Sequence, residues 1–166
     1  MKHKSLYHVT LAALFAALAM AMIILHVPVG PGILHAGDAV ILLAACLLPK
    51  PYAMAAGAIG GGLANWLLGL VPWAPFTIVI KASVAALFSA RHEKLLTRRN
   101  MLMCLPYAII TMGGYFLANG IIYSWEAATL QTLTWDFIQS TVSTGLFFAL
   151  AAAMDRVKIK QRLRLM

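Results

Sequence analysis

The stretch 91–99 reads Arg-His-Glu-Lys-Leu-Leu-Thr-Arg-Arg and separates two long apolar segments. Twelve of the thirteen Lys and Arg residues lie in this stretch and in three others: 2–4, 50 and 156–164. The remaining connections between apolar segments contain no Lys or Arg: 26–38, 70–73 and 124–135. Because cationic side chains are retained in the cytoplasm during membrane insertion, all four basic stretches are expected on one side. This order predicts six spans with both termini cytoplasmic.

Composition supports the same fold class. Hydrophobic residues make up 62% of the chain and charged residues only 11%, which is typical of a membrane protein. The net charge of +8 does not indicate nucleic-acid binding, because the charges lie at segment ends, where they meet anionic lipid headgroups. We therefore predict an all-α membrane protein in which residues 1–166 form one six-helix domain. The predicted spans are 6–26, 37–48, 52–70, 74–90, 101–124 and 133–155.

Two of these segments have an alternative interpretation. Segment 6–26 follows a basic start, as a cleaved signal peptide does, but its apolar run exceeds the usual 7–15 residues and favours a retained helix. Segment 37–48 is short, about 18 Å as a helix, which is also typical of a re-entrant segment. A re-entrant segment would put 91–99 on the outer side, against the charge rule, so we expect 37–48 to cross.

Small residues recur at four-residue spacing in two spans. In the first span the repeat consists of Ala13, Ala17 and Ala21, and such a stripe lets another helix approach closely. We interpret it either as packing within the bundle or as a docking surface for a partner subunit. In the third span the repeat runs through Gly57 and Gly61 and predicts a helix buried among other helices.

The connection 27–36 has an unusual composition. Its prolines and glycines exclude a helix. Most of its other residues are apolar, which is odd for a solvated connection but suits a loop that folds over an occluded site. The candidate lid residues are Val27, Pro28, Ile33 and His35.

Lys81 lies within the fourth predicted span, where an ammonium group costs about 3 kcal/mol. It is expected either to pair with a carboxylate of Asp38, Glu126 or Asp136, or to contact a ligand in a wet cavity. The two roles are compatible. For His35 and Asp38 a metal site is not expected, because one histidine and one carboxylate are too few ligands. We interpret Asp38 as a carboxylate that meets free N–H groups at the start of a helix.

Polar and aromatic residues form a stripe at the outer end of each of the last three spans, with four-residue spacing that places them on one helix face. Single tryptophans suit membrane-interface anchors, but aromatic belts do not explain the amides and charges beside them. A cavity lined by rings with a few orienting polar groups suits a small flat heterocycle. The predicted substrate-binding residues are Trp73, Thr77, Lys81, Tyr115, Asn119, Tyr123, Trp135, Asp136 and Gln139.

Catalytic motifs are missing from the chain. The patterns HExxH, GxSxG and GxxxxGK[ST] do not occur. We therefore predict neither an enzyme nor a bound cofactor, and any ATP hydrolysis that drives transport would belong to separate subunits.

Three sequence blocks resemble one family. They read His-Ala-Gly-Asp-Ala-Val-Ile-Leu-Leu-Ala-Ala at 35–45, Pro-Lys-Pro-Tyr-Ala-Met-Ala-Ala-Gly-Ala-Ile-Gly-Gly-Gly-Leu-Ala-Asn at 49–65, and Val-Pro-Trp-Ala-Pro-Phe-Thr-Ile-Val-Ile-Lys-Ala at 71–82. Together they resemble the substrate-binding S component of energy-coupling factor (ECF) vitamin transporters. Asn65 departs from the pattern, since relatives often carry Asp at this position.

The resemblance implies a multi-pass protein of a prokaryotic plasma membrane that captures a water-soluble vitamin from outside. It implies docking on a scaffold transmembrane subunit driven by two cytoplasmic ATPases, through Ala13, Ala17 and Ala21, and a lid role for 27–36. Within the family the sequence looks most like the branch assigned to hydroxymethylpyrimidine or vitamin B6. The alternatives are a stand-alone carrier or channel, and a membrane scaffold protein whose polar stripes only join helices.

Overall fold

The computed structural model describes residues 2–29 and 32–163. Gly30 and Pro31 of the candidate lid, and Arg164 of the last basic stretch, therefore lie outside the described residues. In chain order the helices are α1 (Lys2–Ile24), α2 (Gly37–Leu47), α3 (Lys50–Leu67), α4 (Ala74–Leu87), α5 (Arg98–Leu102), α6 (Cys104–Ile122), α7 (Trp125–Gln131), α8 (Phe137–Arg156) and α9 (Ile159–Arg162). A hairpin of β1 (Val27–Val29) and β2 (Gly32–Leu34) joins α1 to α2. A 3-10 turn, Val71–Trp73, precedes α4, and a π-helical turn, Thr132–Asp136, joins α7 to α8.

Three helical stretches are long and apolar enough to cross a membrane, judged by length and composition: Ser5–Ile24, Arg98–Ile122 and Trp125–Arg156. Two shorter apolar helices, Gly37–Leu47 and Val71–Leu87, accompany them. This is the architecture of a helical membrane protein. The departure from an all-α fold is the antiparallel hairpin, in which Val27 pairs with Leu34. The described residues of 27–36 contain no helix, as predicted, but their backbone is paired rather than irregular.

Helix α2 forms the centre of the molecule. All eleven of its residues are buried. It contacts α1, α3, α4 and α8, so other helices surround it on every side. At 1.5 Å per residue it is only about 16 Å long, and its short length is compatible with the membrane because its neighbours separate it from lipid.

Helix α3 packs closely on both sides because it carries glycines there. A Cβ atom on Gly60 would lie 2.7 Å from the backbone oxygen of Ala16 in α1, and one on Gly61 would lie 2.9 Å from Thr77 Cγ2 in α4. Without a side chain, both helices can approach the α3 backbone directly. The helix ends near Gly69, whose φ of +73° is a left-handed conformation that glycine adopts without strain.

The prediction that 124–135 is a connection between helices is wrong, because most of this range is itself helical. Ser124 begins α7 by accepting a hydrogen bond from the backbone N–H of Ala127. No glycine or proline follows until Gly145, so the helix continues through the π-helical turn into α8. π-Helical turns are rare and are frequently found at functional sites.

Opposite the hairpin, the basic stretches gather at what we call the basic end: Lys50 and the ranges 88–99 and 155–163. The chain segments of this end are tied together by hydrogen bonds. Tyr7 Oη donates to the carbonyl of Leu163 at 2.8 Å, and Asp155 accepts from the backbone N–H of Leu95 at 2.7 Å. We call the other end, with the hairpin and the π-helical turn, the cavity end.

Candidate functional site

A cavity of about 230 Å³ lies at the cavity end, between the hairpin, the start of α2 and α4, the end of α3 and α6, and the π-helical turn. All nine predicted substrate-binding residues line it, although they come from three separate helical stretches of the sequence. They are Trp73, Thr77, Lys81, Tyr115, Asn119, Tyr123, Trp135, Asp136 and Gln139. The cavity wall is therefore made of aromatic rings with a small number of amides, hydroxyls and charges.

Lys81 is only 2% exposed and forms a salt bridge of 2.6 Å from Nζ to Oδ1 of Asp38. The second carboxylate oxygen of Asp38 accepts a hydrogen bond from Tyr107 at 3.1 Å. The expected role of Asp38 at the start of α2 is corrected by these contacts. Asp38 does lie in the first turn, but its oxygens bond Lys81 and Tyr107, and Ala36 at the helix start has no side-chain cap. Since two buried charges are stable together only when paired and hydrogen-bonded, the pair forms one neutral unit.

A chain of neutral hydrogen bonds continues from this pair along the wall. Asn65 donates from Nδ2 to Thr77 Oγ1 at 2.7 Å, and Thr77 is 3.2 Å from Tyr115 Oη. The Tyr115 ring in turn lies below the Lys81 ammonium group, 5.2 Å from Nζ to the ring centroid. A cation at this distance is attracted by the negative face of the ring. The side chains of α3, α4 and α6 thus fix one another before any ligand enters.

The mouth of the cavity contains a second set of fixed rings. The indole N–H of Trp73 donates to Oδ1 of Asn119 at 2.8 Å, and the Trp73 and Tyr123 rings lie 5.1 Å apart at an angle of 52°. Because Oδ1 of Asn119 is engaged, the orientation of its amide is determined. Its Nδ2 group donates to none of the residues that the structure describes and is available to an acceptor.

Gln139 joins the hairpin to α8. Its Oε1 accepts from the backbone N–H of His35 at 3.0 Å, and its Nε2 donates to the carbonyl of His35 at 2.9 Å. Next to these two hydrogen bonds, Gly32 packs directly on Trp135. A Cβ atom on Gly32 would lie 2.7 Å from Cβ of Trp135. Burial lowers the pKa of the His35 side chain from 6.5 to about 4, so the ring is neutral at pH 7.

The four candidate lid residues divide into two pairs. Ile33 and His35 line the cavity, whereas Val27 and Pro28 in β1 are exposed and do not reach it. The alanine stripe of α1 lies away from the cavity: Ala13 and Ala17 are exposed, and Ala21 is half-buried. The neighbouring Ala12 and Ala16 are the buried ones.

Asp136 belongs to the π-helical turn and is half-buried. Thr132 donates to its Oδ2 atom at 3.1 Å, and no other hydrogen bond or salt bridge reaches its carboxylate from residues 2–29 or 32–163. It therefore differs from Asp38, whose two oxygens are both engaged. Asp136 is the carboxylate on the cavity wall that is left for a ligand.

Reasoning from the sequence missed several residues of the wall. The sequence indicates Asp38 only as a candidate partner of Lys81 and a helix-start residue, and Asn65 only as a position that departs from the family pattern. The remaining lining residues that were not predicted are Ile23, Gly32, Leu70, Thr111 and Gln131. A signal existed for Asn65, because an amide in the middle of an apolar helix needs a hydrogen-bonding partner.

The fold and the cavity define the class: a helical membrane protein with an internal site for a small molecule. Residues 3–156 match the family described as ECF-type riboflavin transporter, S component, and the chain belongs to this family. It is thus the substrate-binding subunit of an ECF importer and a multi-pass membrane protein, and its family is one of transporters and not of enzymes. No curated protein matches the chain. Membership of the S components confirms the resemblance, but the vitamin in the family description differs from the branch predicted from the sequence.

Proposed function

We propose that this chain captures a small single-ring vitamin or vitamin precursor, of the vitamin B6 or hydroxymethylpyrimidine type, in the cavity at the hairpin. The observation that carries the proposal is the composition of the wall, in which rings such as Trp73 and Tyr115 alternate with amides and hydroxyls. Rings stack on a flat heterocycle, and the polar groups orient its substituents. In this proposal the lining residues are the substrate-binding residues, and the hairpin with Ile33 and His35 is the lid.

Riboflavin is the rival ligand, because the family is described by that name. The size of the cavity favours the smaller ligand. Pockets for drug-sized molecules measure about 300–1,000 Å³, and this cavity measures about 230 Å³. A three-ring vitamin with a sugar-alcohol chain would require the hairpin to open widely, whereas a single ring with short substituents suits the closed form.

We further propose that the chain crosses a prokaryotic plasma membrane six times, with α5 and α6 forming one crossing and α7 and α8 another. Two observations support this topology. The basic stretches share one end, where cationic residues of cytoplasmic connections are expected. The hydrogen bonds of Tyr7 with Leu163 and of Asp155 with Leu95 bring the first and last helices of the described chain together near that end. The cavity then opens on the outer side, from which the vitamin arrives.

The proposed docking surface for the scaffold subunit is the alanine stripe of α1. Ala13 and Ala17 are exposed while Ala12 and Ala16 pack inward, so the helix presents small side chains on two faces. In lipid, small residues let two helix backbones approach and gain van der Waals contact. Two cytoplasmic ATPases would act on the scaffold.

Changing Ala13 and Ala17 together to leucine should leave vitamin binding intact and abolish uptake by the assembled importer. Unchanged uptake would assign docking to another face.

Ligand binding is tested by thermal unfolding of the purified protein in detergent. A ligand at 100 times its Kd should stabilise the folded state by about 2.7 kcal/mol. We expect pyridoxine or hydroxymethylpyrimidine to raise the melting temperature and riboflavin to leave it unchanged. A shift with riboflavin alone would replace the proposed ligand, and no shift with any B vitamin would remove the binding proposal.

The matched variants are Asn119→Leu and Leu117→Ala on the same helix. Asn119 lines the cavity and holds the indole of Trp73, whereas Leu117 is 53% exposed on the outer surface. Asn119→Leu should abolish the ligand-induced shift, and Leu117→Ala should retain it. Equal shifts in both variants would exclude Asn119 from the site. Solute flux through liposomes that contain this chain alone would instead favour a stand-alone carrier or channel.

A further inference from the structure

We propose that the cavity selects a ring compound that carries a protonated amine or several N–H donors, that it rejects anionic derivatives of the same ring, and that Asp136 is the carboxylate that recognises the donor. This inference rests on the proposed function, since it names the chemistry of the ligand at the same site. It follows from the state of each charged group on the cavity wall.

The ammonium group of Lys81 is not available to an anion. Its Nζ atom lies 2.6 Å from Oδ1 of Asp38 and above the ring of Tyr115. An anionic ligand at Lys81 would either displace Asp38, leaving that carboxylate in an apolar interior with only the hydroxyl of Tyr107, or bond a remaining N–H of the ammonium group and lie beside the negative charge of Asp38. Removal of one partner from a buried ion pair is strongly unfavourable.

Asp136 presents the opposite situation. Thr132 bonds to one of its oxygens, and the part of the chain that the structure describes supplies no cation to the other. A carboxylate in a partly desolvated cavity gains most from a ligand that brings a positive charge or N–H donors. The aromatic rings that line the same cavity are compatible with such a ligand, because ring faces attract cations.

The summed charge of the cavity-lining residues is negative, as is the charge of Asp136. Two carboxylates, Asp38 and Asp136, and one ammonium group, Lys81, give the described lining a net charge of −1 at pH 7, since His35 is neutral. The cavity is therefore acidic in a chain whose net charge is +8. Helix ends do not reverse this, because α2 and α4 begin at the cavity while α3 and α6 end there, and the partial charges of these termini oppose one another.

The test is a binding series on one ring with three substituents, measured by calorimetry on the purified protein at pH 7.5. Pyridoxine carries a neutral alcohol, pyridoxamine an ammonium group and 4-pyridoxate a carboxylate at the same ring position. We expect pyridoxamine to bind at least tenfold more tightly than 4-pyridoxate, with pyridoxine between them. A parallel pair, hydroxymethylpyrimidine and its phosphate ester, should show the same loss on introduction of negative charge.

The variants separate recognition from folding. Asp136→Asn keeps the hydrogen bond from Thr132 and removes the charge, so it should weaken pyridoxamine binding about tenfold and change pyridoxine binding less than threefold. Asp136→Glu should retain the preference for pyridoxamine. The control is Glu126→Gln, because Glu126 is exposed on α7 and does not line the cavity. It should leave the whole series unchanged.

Three outcomes would overturn the inference. Equal affinity for all three compounds would mean that the cavity does not discriminate between ligands by charge. Tightest binding of 4-pyridoxate would mean that Lys81 is accessible. A preference for pyridoxamine that survives Asp136→Asn would assign recognition to another residue. Failure of every single-ring compound to bind would overturn the proposed function itself, and is thereby distinguished from failure of the charge preference alone.

Discussion

Two lysines, one at each end of the molecule, are almost equally buried: Lys81 is 2% exposed and Lys160 is 1% exposed. Their partners differ in kind. Lys81 pairs with a carboxylate at 2.6 Å inside a cavity lined by rings. Lys160 donates to two backbone carbonyls, those of Ala90 at 3.0 Å and His92 at 2.6 Å.

This difference shows how the molecule uses a buried charge at each end. At the cavity end the charge is cancelled locally, so that a ligand meets a neutral pair and one remaining carboxylate, Asp136. At the basic end the charge is solvated by peptide dipoles, and burial lowers the pKa of Lys160 because the ammonium group has lost water. Lys160 joins the connection between α4 and α5 to α9 and touches no part of the cavity.

The largest effect is expected from breaking the cavity pair. Asp38→Leu leaves the Lys81 ammonium group buried without its counter-charge, which costs about 3–5 kcal/mol in the free energy of unfolding. The double variant Asp38→Leu with Lys81→Met should recover most of this loss, because an apolar pair of similar volume avoids the desolvation of both charges. Thermal unfolding of the three proteins in detergent measures the effect.

The double variant also separates the contribution of the Asp38–Lys81 pair to stability from its contribution to vitamin binding. It should fold nearly as well as the unmodified protein but bind no vitamin, because the wall has lost its fixed polar surface. A double variant no more stable than Asp38→Leu would mean that the pair is not the source of the loss. For the same reason Lys81→Leu alone is a poor test of ligand contact, since it leaves Asp38 unpaired.

The fold was largely predictable from the sequence because its main signals are local. Basic stretches and apolar lengths marked the helices, and four-residue spacing marked the faces that meet at the cavity. The helix α7 was missed because 124–135 was interpreted only as a connection between two apolar segments that contains no Lys or Arg, whereas its contacts are helical: Ser124 caps α7 and Thr129 bonds the carbonyl of Trp125.

The second effect concerns the basic end. Lys160→Met leaves the carbonyls of Ala90 and His92 without their charged donor, and hydrogen bonds to charged groups contribute about 1.5–3 kcal/mol each. We expect a lower melting temperature with unchanged vitamin affinity. The control is Lys94→Met, which removes an exposed lysine from the same region and should have no effect. A change in vitamin affinity for Lys160→Met would show that the two ends are coupled.

The site was less predictable than the fold because its contacts join distant residues. Spacing identified nine members of the wall, but it could not choose Asp38 from the three candidate partners of Lys81, or show that Gln139 would bond to the backbone of His35. Lys160 lies in a basic stretch that is expected to meet lipid headgroups, and only the packed structure reveals its burial.

The third effect tests whether close packing on α3 positions the cavity wall. Gly61→Ala would place a Cβ atom 2.9 Å from Thr77 Cγ2 and 3.0 Å from Lys81 Cγ, so these two side chains, or α4 with them, must shift. Overpacking of this kind costs about 1–3 kcal/mol, and the shift should weaken vitamin binding as well as stability. Gly145→Ala is the matched control, because nothing lies within 4 Å of a Cβ atom at that position. Equal behaviour of the two variants would mean that α4 is not held by α3.

The smallest effect is a pH dependence of the hairpin, and it is restricted to the cavity end. His35 has a pKa of about 4 when the hairpin is closed and about 6.5 when it is solvated. The closed form is therefore favoured above pH 6.5 and loses this advantage as the pH falls towards 4, because only the open form binds a proton readily. Between pH 8 and pH 5.5 the closed-to-open ratio should fall about tenfold.

The distance between spin labels on Val27 and Thr129, both exposed, measures this ratio without a ligand. The control is His35→Asn, which keeps the backbone bonds to Gln139 and cannot titrate, so its distance distribution should stay closed across the range. Asp38, Lys81 and His26 also act on the pKa of His35 through their charges, and His26 is a second imidazole next to the hairpin. His26→Asn therefore accompanies the series, and an unaltered pH response in that variant, together with a flat response in His35→Asn, assigns the proton to His35. A pH response that persists in His35→Asn would place the titrating group elsewhere on the cavity wall, with Asp136 as the remaining carboxylate that lacks a cation.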